Sequence, residues 1–230
     1  YNKIDPKNIY ASPYRIYQPK EKPENTILLG YEYENQVKEK QDIPKWFNQS
    51  WDPFNMNIGA YGWEIRSPVA PLEFHRRVWT RYFNNGRFKF NTEPSYAGDT
   101  GYTSSVSKDH PKGHGAGIHV SVSITEATRA KQQYIYDFLN RNHHKTWEKL
   151  SGRSNVQYQR YAGNSNLRHN ENRYECRLFT AHPDLLIPAL EFTESVFAFP
   201  ERITYNAWRD FVAGSDRYSS LRDRLTSLSL

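Results

Sequence analysis

The 230-residue chain is long enough for one domain with a sizeable core, and 31 Lys and Arg against 25 Asp and Glu leave it at +6. That charge is moderate and spread along the sequence, so nucleic acid is an open but not a required partner. The single cysteine, Cys176, excludes an internal disulfide framework and a cysteine-based zinc site, no apolar run approaches the roughly 18 residues of a membrane span, and no charged-then-apolar leader opens the sequence; the expectation is a soluble cytoplasmic protein.

In chain order, residues 1–25 carry Pro6, Pro13, Pro19 and Pro23 without an apolar period. They read as an extended arm, whose Tyr10, Tyr14 and Tyr17 suit docking onto a partner or a second subunit, or simply a disordered arm. A globular domain is expected over 26–200 and a helical tail over 201–230. "LLGYEYE" (28–34) alternates as a half-buried strand, with Leu29, Tyr31 and Tyr33 on one face and Gly30, Glu32 and Glu34 on the other. "GWEIRS" (62–67) sets Trp63 and Ile65 against Glu64 and Arg66. Residues 70–83 read as a helix carrying Leu72, Val78, Trp79 and Phe83.

An irregular stretch from Phe90 to Gly117 then leads into "GIHVSVSI" (117–124), a strand with Ile118, Val120, Val122 and Ile124 opposed to His119, Ser121 and Ser123. One long helix is expected over 126–150 behind a Thr125 N-cap. "RYECRLF" (173–179) gives Tyr174, Cys176 and Leu178 against Arg173, Glu175, Arg177 and Phe179. A helix over 184–199 tolerates Pro188 near its start, and the tail over 203–229 reads as one or two short helices broken near Gly214. Irregular mixing of strands and helices predicts an α+β fold, an antiparallel or mixed sheet with helices on its apolar face.

If the four strands share that sheet, the opposite face collects Glu32, Glu34, Glu64, His119, Glu175, Arg66, Arg173 and Arg177. Carboxylates and an imidazole suit divalent metals, and guanidiniums suit phosphate oxygens. Together they suit phosphoryl transfer from a nucleotide. Neither a P-loop nor a dinucleotide-binding glycine motif is present, but "KGHGAGIHVSVS" (112–123) alternates three glycines into His119, which lets a ligand approach the backbone closely.

Five pieces in order, "GYEYE" (30–34), "EIRSPV" (64–69), "GAGIHVSVS" (115–123), "LSGRSNVQYQRY" (150–161) and "YECRLF" (174–179), resemble the amidoligase branch of the glutamine synthetase-like carboxylate-amine ligases. The resemblance spans about residues 27–199. It implies a glutamine synthetase-like curved sheet and a two-step reaction. ATP phosphorylates a substrate carboxylate, and an amine then displaces the phosphate to form an amide; the substrates would be small-molecule or peptide carboxylates and amines.

By position, the resemblance assigns Glu34 and Glu64 to one Mg²⁺, and Glu32, His119 and Glu175 to another that bridges the nucleotide phosphates. Arg177 would neutralise the transferred phosphoryl group, which places Arg177, Glu34 and Glu175 in the catalytic set. Arg153 and Arg160 would be further phosphate or carboxylate contacts, and Gly115 and Gly117 would let backbone approach the substrate. Two positions depart from the pattern: Ser121, where many relatives carry a second histidine, and Arg66, a cation beside Glu64.

The residues leave two rivals open: a catalytically inactive member of this fold with a structural role, and a single-stranded nucleic-acid binder. His143 and His144 are adjacent on a helix and read as solvated, and Cys176 reads as a core residue. His114, or Asp99, Asp109 and His110, offer substrate or lid contacts from the long loop, with plain exposure as the alternative.

Overall fold

The computed structural model describes residues 27–36, 55–59, 62–84, 90, 117–123, 126–140, 143–152, 167–170, 173–200 and 202–230. All four alternating segments form strands: β1 (Leu29–Gln36), β3 (Gly62–Arg66), β4 (Gly117–Ser123) and β6 (Arg173–Thr180). Two short strands were not expected, β2 (Asn55–Gly59) and β5 (Leu167–Asn170). The six form one sheet in the order β2-β3-β1-β4-β6-β5, with every neighbouring pair antiparallel. The fold is α+β.

The apolar residues of the strands lie under helices. Tyr31 and Tyr33 of β1 meet Trp79 at centroid distances of 6.1 and 5.2 Å. Trp79 opens a single π-helical turn (Trp79–Phe83) that continues α1 (Leu72–Val78), so the helix read over 70–83 changes pitch midway. Phe179 and Tyr174 of β6 pack on Phe192 and Phe197 of α4 (Leu186–Ala198). A 3-10 turn, Pro183–Leu185, precedes α4, and Pro188 falls in its first turn, where a missing N–H costs no helical bond.

Phe179 corrects the sequence reading, which set it beside Arg177 on the polar face. The β4–β6 register passes from Val120↔Cys176 to Ile118↔Phe179, so His119 stands opposite both Arg177 and Leu178. This β-bulge advances the alternation by one residue and brings Phe179 over to the core. The single helix expected over 126–150 is two, α2 (Glu126–Asn140) and α3 (His144–Ser151). His143, at the N-cap of α3, has a left-handed φ of 62°, which no continuous helix allows. It is exposed, as expected, while its ring also lies 5.2 Å from that of Tyr205.

Almost every residue of α4 is buried, because the sheet covers one side and the tail the other. The tail forms α5 (Tyr205–Ala213), a 3-10 turn and α6 (Ser219–Ser227), broken at Gly214 as expected. Trp208, Val212, Leu221 and Leu225 bring it into the same core as the strands. Two α4 glutamates inside that core are met by cations. Arg76 Nη2 donates to Glu191 at 2.6 Å and Arg217 Nη2 to Glu194 at 3.0 Å, while the Leu221 N–H donates to the second Glu191 oxygen at 2.7 Å. No described helix is long and apolar enough to cross a membrane.

Candidate functional site

The face of the sheet opposite α4 is built on the four contiguous strands β3-β1-β4-β6. Glu32 on β1 pairs with Arg66 on β3 and with His119 on β4; Glu34 pairs with Glu64; Glu175 on β6 pairs with Ser121. Residues directly opposite across antiparallel strands share a face, so the register alone brings these positions together. The Glu34–Glu64 pairing sets two acidic residues side by side, an arrangement that repels unless a cation lies near.

Two local devices fix the frame. Ser67 carries the pairing with β1 past the end of β3: its N–H donates to Tyr31 O at 2.9 Å, and its hydroxyl accepts from Tyr31 N at 2.8 Å while donating to Pro68 O at 2.9 Å; beyond Pro68 the pairing resumes between Leu29 and Ala70. Buried His75 on α1 donates through Nε2 to the Leu29 carbonyl at 2.8 Å, tying the start of β1 to the helix layer. Burial holds that imidazole down at about 4, outweighing the backbone contacts that favour the cation, so it is neutral at pH 7.

Glu32 is at the centre of the charges. Its Oε2 lies 3.5 Å from His119 Nδ1, and its Oε1 lies 3.9 Å from both Arg66 Nε and Arg173 Nη2. Burial alone would raise this carboxyl, but the hydrogen bond to His119, the charge of that ring and the two guanidiniums outweigh it and hold the group at about 2. Arg173 starts from β6, opposite Ser123, so its guanidinium crosses β4 diagonally over Ser121 to reach Glu32. A small residue on that path leaves it room.

Glu175 is nearly buried and meets Arg177 Nη1 at 3.0 Å and Arg173 Nη2 at 3.4 Å. Glu34 accepts from the Gly117 N–H at 2.9 Å, and its other oxygen lies 3.9 Å from His119 Nδ1. The structure thus gathers Glu32, Glu34, His119, Glu175, Arg177 and Gly117 on one face, with Glu64 placed there by backbone register. Arg153, Arg160 and Gly115 lie outside the described residues, as do the N-terminal arm, Thr125, His114, Asp99, Asp109 and His110.

Sequence reasoning assigned no role to Ser67, His75 or the Glu191–Arg76 and Glu194–Arg217 pairs. Two glutamates within "LLIPALEFTESVFAF" are the available signal, since an acid inside an apolar helix demands a buried cation.

In kind, the donors fit magnesium, which takes carboxylate oxygens, and His119 Nδ1 stands between the carboxylates of Glu32 and Glu34. As they stand, the described residues include no group of three or more His, Cys, Asp or Glu side chains gathered around a single metal position. Glu32 and Glu175 are paired with the guanidiniums of Arg66, Arg173 and Arg177, while Glu34 is held by the Gly117 N–H and lies near His119.

Comparison with known proteins finds no family model, no curated protein and no solved structure that matches this chain.

Proposed function

We propose that this protein is an ATP- and magnesium-dependent carboxylate-amine ligase with a glutamine synthetase-like sheet, making an amide through an acyl phosphate. The observation that supports this reading is the meeting of Glu32, Glu34, His119, Glu175 and Arg177 on one face of contiguous antiparallel strands. Glu34 and Glu64 would hold one magnesium ion, and Glu32, His119 and Glu175 a second. When bound, magnesium supplies charge neutralisation to the nucleotide phosphates.

A substrate carboxylate oxygen attacks the γ-phosphorus of ATP, the bond to the β-phosphate oxygen breaks, and ADP leaves with that electron pair. The amine nitrogen then attacks the acyl carbon, phosphate departs with the carbon–oxygen electrons, and the amine gives up a proton to leave the amide. Arg177, whose Nη1 lies 3.0 Å from Glu175 Oε1, would stabilise the transferred phosphoryl group with its guanidinium. The Gly117 N–H is engaged by Glu34 and orients that carboxylate toward His119.

Titration of Mg²⁺-ATP onto the intact chain tests the reading, with Glu34→Ala and Glu175→Ala as controls. Saturable binding that both variants weaken at least about tenfold is expected, as for loss of a charged contact; absence of nucleotide affinity in the intact chain removes the ligase. A second reading is favoured by one observation, the two guanidiniums at 3.9 Å from one Glu32 oxygen. A carboxylate already engaged by two guanidiniums suits a catalytically silent protein of the same fold with a structural role, and the same titration separates the two. A single-stranded nucleic-acid binder leaves the acidic cluster without a purpose.

A further inference from the structure

We propose that the C-terminal tail and β1 are energetically coupled through α1: Arg217 holds one side of that helix and His75 ties the other to β1, so that loosening the tail loosens the strand carrying Glu32 and Glu34. The coupling requires no ligand and is independent of the ligase reading.

α1 is poorly secured by its own sequence. It is 7 residues long, its N-cap is Pro71 with no side-chain hydrogen bond, and it passes at Trp79 into the π-helical turn. A helix this short is marginal in water, so its place depends on its neighbours. Leu72 and Val78 are buried, but apolar burial is non-directional and does not set where the helix lies along its axis. Hydrogen bonds and ion pairs do.

Those links fall into two sets on different sides of the helix. Glu73 and Arg76, at i and i+3, share the side that meets the tail. Arg217, in the 3-10 turn Asp216–Tyr218, donates through Nη1 to Glu73, and Arg76 Nη2 donates to the Arg217 carbonyl. The Arg217 guanidinium is itself fixed to α4, since its Nε and Nη2 donate to the two oxygens of Glu194, and the Tyr218 hydroxyl lies 3.4 Å from the same carboxylate.

His75 is about 200° around the helix from Glu73. There its Nε2 donates to the Leu29 carbonyl at 2.8 Å, while Leu29 and Ala70 exchange backbone hydrogen bonds at 2.9 and 2.8 Å. The first residue of β1 is thus bound to α1 and to the residue just before its N-cap. When the tail lets go of Glu73, α1 is free to shift, the His75 hydrogen bond weakens, and the start of β1 opens more often. Leu29 and Tyr31 report this, because they lie on the strand between that anchor and Glu32.

Native-state hydrogen exchange of single amides in the intact chain tests the coupling. Glu73→Ala removes the ion pair between tail and α1 at an exposed position and leaves the Arg217–Glu194 pair in place. Exchange at Leu29 and Tyr31 should rise about two- to fivefold, the range for one exposed ion pair, while the β6 amides keep their rates. Arg222→Met alters a tail cation whose partners, Asp216 and the Ala213 carbonyl, lie outside α1, and should leave β1 unchanged. In a His75→Leu background, where the relay is cut, Glu73→Ala should no longer affect β1.

β1 rates unmoved by Glu73→Ala, equal acceleration in β1 and β6, or the same acceleration with and without His75 overturns the coupling. If His75→Leu does not fold, the comparison of Glu73→Ala with Arg222→Met decides alone: acceleration of β1 by both variants, or by neither, overturns it.

Discussion

Glu32 and His119 face each other across β1 and β4, with the Glu32 Oε2 oxygen 3.5 Å from His119 Nδ1, and the pair joins the two central strands on the polar face. Glu32 is held at about 2, below its ordinary 4.5, so the stabilisation it brings is present above about 4.5 and is lost as pH falls toward 2. The difference corresponds to on the order of 2 to 3 kcal/mol. Glu32→Gln should lower stability at neutral pH and flatten the acid limb between those values; urea denaturation at stepped pH reads both.

His75 gives a second acid limb at higher pH. Burial depresses its imidazole from 6.5 to about 4, so the stability it contributes is present above 6.5 and is lost as pH falls through about 4. His75→Gln keeps a donor for the Leu29 carbonyl but does not titrate. The variant should lose the fall in unfolding free energy between pH 6.5 and 4, on the order of 3 kcal/mol, while keeping the Glu32 limb below it.

Glu191 ties α4 to α1 through Arg76 and to α6 of the tail through the Leu221 N–H. Burial pushes its carboxyl up, against the opposing pull of the Leu221 N–H and Arg76. Glu191→Ala would leave the buried Leu221 N–H without its acceptor and Arg76 with only Glu73 and the Arg217 carbonyl, at a cost of about 1 to 3 kcal/mol. Glu191→Gln retains an acceptor oxygen and should cost less. Chemical denaturation followed by tryptophan fluorescence distinguishes them, because Trp208 is in the same core.

Ser67 completes the pairing at Tyr31 with its hydroxyl. Ser67→Ala would leave the buried Tyr31 N–H without the hydroxyl oxygen at 2.8 Å, at a cost of about 1 to 3 kcal/mol. Faster hydrogen exchange at the Tyr31 amide, ahead of the other β1 amides, is the expected signature.

Much of this architecture is legible in the sequence wherever a strand is half-buried, because period-two alternation then records the two faces separately. That is why Glu32, His119 and Glu175 could be placed on one surface from "GYEYE", "GIHV" and "YECR". β2 and β5 escaped because "NMNIG" and "LRHN" are short and rich in residues that strands disfavour; their pairing is fixed by β3 and β6 rather than by their own propensity. The break between α2 and α3 escaped because apolar spacing continues through it from Phe138 to Trp147, while the left-handed backbone of His143 leaves no mark in that spacing.

The arginines show a different limit. Alternation puts Arg66 and Arg173 on the polar face, but not where a long side chain ends. That Arg173 reaches a carboxylate two strands away depends on the tertiary register and on the size of Ser121, neither of which a local pattern encodes.

The extra residue opposite His119 makes β6 unequal in its response to changes of length. Excising Leu178 would restore plain pairing while Arg177 and Phe179 each kept their own side. Excising Cys176 instead would set Arg177 against Val120 and thrust a guanidinium among the aromatic rings. A one-residue deletion in this strand is therefore harmless to the charge arrangement at one link and ruinous two links away.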